Sequence, residues 1–296
     1  MQKGKFSKKM MPEGYFSVYP IPEESELKEL YNKEYYQEVK SSSYQSKYSE
    51  SEIRYKKVIS DQIVYAIEQF RVSSHEKKFL EIGFGEGFTM AAAQRNEWEI
   101  MGLELTNVAL RKFHPNLLEF TRQMDVCEGI KHFRSEDSRF DAVVLQNVLE
   151  HVREPEKVLD ELHEILEPRG ILSITVPNDE SLLQLDLLQR GSIDREYWFV
   201  PPQHLHYFNS ENFGNLVSKK GYRIIDMYSD FPIEYFLYQP SANYITDKEQ
   251  GTLCQNARVA IFNQLATNGI NKLHKLCQAQ AQCGIGRAIT FLLQRV

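Results

Sequence analysis

Between Lys78 and Ala93 the chain passes from the apolar run Lys78-Phe79-Leu80-Glu81-Ile82, through Gly83-Phe84-Gly85-Glu86-Gly87, into Phe88-Thr89-Met90-Ala91-Ala92-Ala93. The first five residues suit a strand buried on both faces, the glycines allow a tight turn, and the last six favour a helix. A strand of that kind needs neighbours in a sheet. They follow at Glu99-Ile100-Met101-Gly102-Leu103, at Phe140-Asp141-Ala142-Val143-Val144-Leu145 and at Ile171-Leu172-Ser173-Ile174-Thr175-Val176. Between the last two, Val158, Leu159, Leu162, Ile165 and Leu166 share one helical face, closed by Pro168 and Gly170. The alternation predicts a doubly wound α/β sheet with right-handed crossovers.

Ile59, Ile63 and Ile67 recur every fourth residue and predict a helix over 53–70 ahead of the first strand. Tyr222-Arg223-Ile224-Ile225-Asp226-Met227-Tyr228 reads as a later strand, and Ala288-Ile289-Thr290-Phe291-Leu292-Leu293 as the last. Ile270, Leu273, Leu276 and Cys277 give the intervening stretch a helical period. The expected organisation is therefore an N-terminal arm or lid (1–52), a core (53–231), a helical insertion or substrate lid (232–283) and a final core strand (284–296). The arm carries Tyr31, Tyr35, Tyr36, Tyr44 and Tyr48 and reads as loosely helical, with rings packed on the main domain or covering a cleft.

At 42% hydrophobic and 26% charged residues over 296 positions, the chain is neither disordered nor fibrous. A net charge of -6 argues against broad capture of a phosphate backbone, so nucleic acid is not the expected partner. Cys127, Cys254, Cys277 and Cys283 form neither a CxxC pair nor a zinc knuckle, and no apolar leader follows the lysines of residues 1–11. No stretch approaches the length of a bilayer span. A cytoplasmic protein with reduced thiols is expected, with no membrane partner and with homodimerisation left open.

The glycine turn lets backbone approach a ligand closely. Its spacing, Gly83-x-Gly85-x-Gly87, departs from the dinucleotide pattern GxGxxG, because Phe88 stands where the third glycine belongs. Glu104 ends the second strand 21 residues after Gly83, where a carboxylate can accept ribose hydroxyls. Met124-Asp125-Val126 sets a carboxylate beside an apolar residue at the expected end of a third strand, a pairing suited to an adenine. Glu81, Glu104 and Asp125 then line one sheet edge. That edge suits a ligand with a positive centre better than a pyrophosphate.

Leu80 to Gly87, Glu104, Met124-Asp125-Val126 and Phe140 to Val152, in that order, resemble the class I S-adenosylmethionine-dependent methyltransferases. The resemblance covers roughly residues 53 to 228. It implies a Rossmann-like, doubly wound seven-stranded sheet with an antiparallel last strand, and S-adenosylmethionine as cofactor. By position, Gly83, Gly85 and Gly87 would pass under the methionine part, with Glu81 orienting the loop or the amino group. Glu104 would hold the ribose, Asp125 and Val126 would frame the adenine, and Gln146 would sit near the methionyl end or the sulfonium. His204-Leu205-His206-Tyr207-Phe208, Phe213, Leu216 and Gly221-Tyr222 resemble a small-molecule branch that includes ubiquinone-type and sugar-modifying enzymes.

Methyl transfer to a hydroxyl needs an aligned acceptor and a route for its proton. Candidate catalytic residues are His151, after the fourth strand, and His204 and His206, which would face one side of an extended segment. Either of the last two could instead brace the loop. Asn147-x-x-Glu150-His151 followed by His204 also resembles the metal-binding pattern of small-RNA 2'-O-methyltransferases, where the first position is glutamate. Asn147 removes that anionic ligand, and Glu-His after this strand is common in methyltransferases without metal, so no metal ligand is assigned. Trp198 and Phe199 are expected to fill core. The expected function is methyl transfer to an oxygen or nitrogen of a small molecule, such as a sugar or sugar nucleotide. A metal-assisted RNA 2'-O-methyltransferase, a non-catalytic cofactor-binding module and an NAD-linked oxidoreductase are the competing readings.

Overall fold

A computed structural model describes residues 5–30, 47–71 and 77–296. The chain opens with a hairpin, β1 (Ser7–Met10) and β2 (Phe16–Tyr19), then α1 (Glu24–Leu30) and α2 (Glu50–Phe70). There follow β3 (Lys78–Ile82), α3 (Phe88–Arg95), β4 (Glu99–Glu104), α4 (Val108–Phe113), β5 (Thr121–Gln123), α5 (Val126–Ser135), β6 (Phe140–Gln146), α6 (Pro155–Ile165) and β7 (Leu166–Pro177). The last third holds α7 (Leu182–Gln189), β8 (His206–Tyr207), α8 (Ser210–Lys219), β9 (Tyr222–Ser229), α9 (Gln250–Ala266), α10 (Ile270–Gln282) and β10 (Ala288–Arg295).

Seven strands form one sheet in the order β5-β4-β3-β6-β7-β10-β9. Pairs from β5 to β7 are parallel, whereas β10 runs antiparallel to both β7 and β9, as expected of the last strand. Side chains alternate between two buried faces, which is why these strands read as unbroken apolar runs. Leu80, Ile82, Val143, Leu145, Leu172 and Ile174 pack on one face with Phe133 of α5, Leu162 of α6 and Phe213 of α8. Phe79, Ala142, Val144 and Ile171 pack on the other with Ile67 of α2, Met90 of α3, Phe262 of α9 and Leu273 of α10. The insertion between β9 and β10 is helical as expected, and α9 and α10 lie against α2. The Ser49–Glu52 capping box starts α2 at Glu50, ahead of the expected Ile53.

Two local expectations are corrected. The described beginning of the arm is a β-hairpin rather than a loose helix, and β2 pairs antiparallel with β8 to make a second, three-stranded sheet. Tyr15 anchors it, fully buried with its ring against those of His206 and Phe208. Val18, Leu187, Trp198, Leu205 and Tyr207 close a third apolar cluster beneath the hairpin, so Trp198 fills core. Tyr31, Tyr35, Tyr36 and Tyr44 lie outside the described residues. Second, Met124-Asp125-Val126 does not end a strand: β5 stops at Gln123, and Asp125 caps α5, its carboxylate accepting the Glu128 amide at 2.9 Å. Among the described residues, no helix is long and apolar enough to cross a membrane.

Candidate active site

A cavity of about 660 Å³ opens at the carboxyl ends of β3, β6 and β7, roofed by α2, α9 and Tyr48. Its floor is the glycine turn. Gly83 adopts φ 78°, and a Cβ there would lie 2.4 Å from Val148 Cγ2, so only glycine leaves the backbone bare at this point. Gly87 faces elsewhere: it caps α3 at φ 81°, and an added Cβ would meet Leu110 Cδ1 at 2.3 Å. Gly83 and Gly85 line the cavity, while Gly87 sets the packing of α3 against α4.

Glu81, at the end of β3, is buried, and burial pushes its carboxyl up to about 8. Gln146 Nε2 donates to Glu81 Oε1 and to Thr89 Oγ1, each at 2.8 Å, and the Met90 amide donates to Glu81 Oε2 at 3.0 Å. This network joins the ends of β3 and β6 to the first turn of α3. Glu104, at the end of β4, accepts the Leu105 amide at 2.8 Å and makes a long 3.4 Å contact with the Gly85 amide. Burial raises its carboxyl as well. Asp125 and Val126 sit one strand further out, at the start of α5.

The expected histidines separate. His206 is buried with both ring nitrogens engaged: Nε2 donates to the Val152 carbonyl at 2.8 Å, which leaves Nδ1 to accept the Ser17 hydroxyl at 2.7 Å. It ties β2 and β8 to the loop after β6. Only His206 and Tyr207 are extended here, so His204 turns the other way and lines the cavity with His151 and Glu150. The rings of His151 and His204 meet edge to face at 5.0 Å. Three backbone-directed bonds fasten 203–206 to 150–152: Leu205 N to Glu150 O at 2.8 Å, His151 Nδ1 to Gln203 O at 2.6 Å, and the His206 bond to Val152. Burial depresses both lining histidines, His151 to about 4 and His204 to about 3, so each is neutral near pH 7. Burial pushes Glu150 up to about 8, and among the described residues neither of its carboxylate oxygens has a hydrogen-bond partner.

Sequence reasoning did not find the far wall. Arg258 of α9 pairs with Asp230, whose other oxygen accepts the Arg287 and Ala288 amides at 2.8 and 2.9 Å. Arg287 approaches the buried Asp179 and Glu234 at 3.6 and 3.9 Å. Lys56 of α2 reaches Glu86 at 3.2 Å, and the same carboxylate accepts the Tyr48 hydroxyl. No local spacing flags these residues, because they come from the arm (Tyr48), the core (Lys56, Glu86, Asp179, Asp230), the insertion (Glu234, Arg258) and the last segment (Arg287) and meet only on folding. Each cation on this wall has an acidic partner.

A seven-stranded sheet with one antiparallel strand and a glycine turn at the carboxyl end of β3 defines the class I methyltransferase fold. In keeping with that, the structure resembles an S-adenosylmethionine-dependent methyltransferase from Archaeoglobus fulgidus with a TM-score of 0.51 at 14% identity, over 81% of this chain and 94% of that one. A family model described as a methyltransferase domain matches residues 53–226, and the chain belongs to that family. It is an S-adenosylmethionine-dependent methyltransferase. An uncharacterised protein of Methanocaldococcus jannaschii is 25% identical over 175 residues, 59% of this chain and 71% of that one. A ubiquinone biosynthesis O-methyltransferase of Pasteurella multocida is 22% identical over 152 residues, 44% of this chain and 63% of that protein. The cavity fits the cofactor: a bare glycine floor, buried Glu81 and half-buried Gln146 at one end, and room beyond them.

Proposed function

We propose that the acceptor is a hydroxyl of a small molecule, with sugars and sugar nucleotides among the classes to be tested. The reading is carried by the continuity of one cavity from the glycine turn, past Gln146, to the neutral side chains of His151 and His204. Gly83, Gly85, Glu81, Glu104 and Gln146 hold the cofactor, with Gly87 shaping the turn and Asp125 and Val126 at the adenine end. When bound, S-adenosylmethionine supplies a sulfonium methyl: the acceptor oxygen forms the new bond to carbon, the carbon–sulfur pair stays on the departing thioether, and the hydroxyl proton is released. The chain's part is to align the acceptor with that methyl and keep bulk water away. His151 and His204 orient the hydroxyl. His206, with both nitrogens engaged, acts as a positioning residue behind them.

Relatives named as O-methyltransferases favour oxygen over nitrogen. The pairing of Lys56 with Glu86 and of Arg258 with Asp230 leaves those cations neutralised, which favours a small molecule over RNA. Residence in the cytoplasm belongs to the same reading and is supported by four cysteines in the thiol form.

Calorimetric titration with S-adenosylmethionine, its demethylated product and NAD tests the cofactor assignment. Labelled methyl transfer to a panel of phenols, sugars, sugar nucleotides and amines then tests the acceptor. Expected are micromolar binding of the first two ligands, none of NAD, and label on a hydroxylated compound. Binding of NAD alone, or of nothing, overturns the reading. Cofactor binding with no transfer to any acceptor favours a non-catalytic module.

A further inference from the structure

Glu150 is the anomaly of the cavity. Its side chain is only 1% exposed, yet among the described residues both carboxylate oxygens lack a hydrogen-bond partner. A buried carboxylate in that state calls for an ion or an ordered partner. The cations of the wall are committed elsewhere, Lys56 to Glu86, Arg258 to Asp230, and Arg287 to Asp179 and Glu234. What faces Glu150 instead is a pair of imidazoles.

We propose that Glu150, His151 and His204 form a binding site for one divalent cation of the borderline class, such as Zn²⁺, Co²⁺ or Mn²⁺, at the acceptor end of the cavity. One donor atom from each residue lies within 4.8 Å of the others. Tetrahedral ligands at about 2.0–2.2 Å from a metal lie about 3.3–3.6 Å apart, so a pair at the 4.8 Å limit closes by about 1.2–1.5 Å when the cation binds. The donor chemistry is set by the fold. A carbonyl can only accept, so His151 carries its proton on Nδ1 toward Gln203 O, and Nε2 presents its lone pair 3.8 Å from Glu150 Oε1. His204 Nδ1 is buried without a hydrogen-bond partner among the described residues. Two imidazoles and one carboxylate suit zinc, cobalt or manganese better than calcium or magnesium. Three protein donors leave at least one position open toward the cavity for an acceptor oxygen. That last role rests on the O-methyl reading above, whereas the cation site stands on its own geometry.

The test is titration of chelator-stripped, full-length protein with Co²⁺, read by visible absorption and calorimetry, with Zn²⁺ and Mg²⁺ in parallel. Expected is one Co²⁺ or Zn²⁺ per chain, with affinity falling at least tenfold in Glu150→Gln and in His204→Gln while S-adenosylmethionine affinity and melting temperature hold. If Glu150→Gln fails to fold, His204→Gln and His151→Gln decide. Absence of saturable Co²⁺ and Zn²⁺ binding, binding unchanged by the substitutions, or binding of Mg²⁺ alone overturns the proposal. Cofactor binding without cation binding sinks the cation site and spares the methyltransferase reading; the converse does the reverse.

Discussion

Glu104 and Asp179 show how burial turns single carboxylates into measurable effects. If Glu104 accepts the ribose hydroxyls, Glu104→Ala lowers S-adenosylmethionine affinity by about 1–3 kcal/mol, the range for a charged acceptor, and calorimetry reads it directly. Burial lifts Asp179 from 3.8 to about 7, and lifts Glu81 to about 8. A folded value above the unfolded one adds stability that is fully present below the unfolded value and is lost as pH rises through the folded one. Below about 6.5 the buried histidines, depressed to about 3–4, act in the opposite sense, so the chelated, cofactor-free protein is expected to melt at lower temperature as pH rises from about 6.5 to 8, by about 2–4 °C per kcal/mol lost. Asp179→Asn should flatten that slope in a thermal scan. Glu81, Gly83, Gly85 and Glu104 were legible from order and spacing, since each ends a strand or sits in the turn after one, whereas Gln146 came from the family resemblance. The separate fates of His204 and His206 were not, because an i, i+2 pair shares a face only while the backbone stays extended, and β8 is two residues long.

The turn after β3 and the short strand β8 are the two elements that place the site. Gly83→Ala puts a Cβ into Val148 at a left-handed backbone position, so cofactor binding should vanish and stability fall by about 1–3 kcal/mol. Gly14→Ala is the control: its φ is also positive, at 94°, but nothing lies within 4 Å, so cofactor affinity should be untouched. For β8, His206→Ala removes the bonds to Ser17 and Val152 and should cost about 1–3 kcal/mol of stability by chemical denaturation, with cofactor affinity unchanged. A loss of turnover without loss of stability would instead put His206 in the chemistry. These elements differed in legibility for a physical reason. The strands β3, β4, β6, β7, β9 and β10 are apolar on both faces and announce themselves. The hairpin is mostly exposed along β1, with the pattern Ser7-Lys8-Lys9-Met10, and gains its order from pairing with β8.

At the scale of the molecule, the parallel sheet supplies the end of the cavity proposed for the cofactor, while distant segments supply the end proposed for the acceptor. Removing residues 1–20 deletes β1, β2 and the buried Tyr15, unpinning 203–206. The truncated protein is expected to bind S-adenosylmethionine but to lose turnover on any acceptor found, a split that paired titration and methyl-transfer assays would reveal. The sequence by itself determined the strands of the sheet and the turn after the first of them, because buried strands and a glycine turn leave local, periodic marks, while the antiparallel last strand followed from the family resemblance. Only the tertiary structure decided that Glu150, His151 and His204 converge, that Arg258 and Arg287 close the wall, and that His206 faces away. Those relations join residues up to 137 positions apart, from Glu150 to Arg287, and no local period encodes a contact made only when the chain closes on itself.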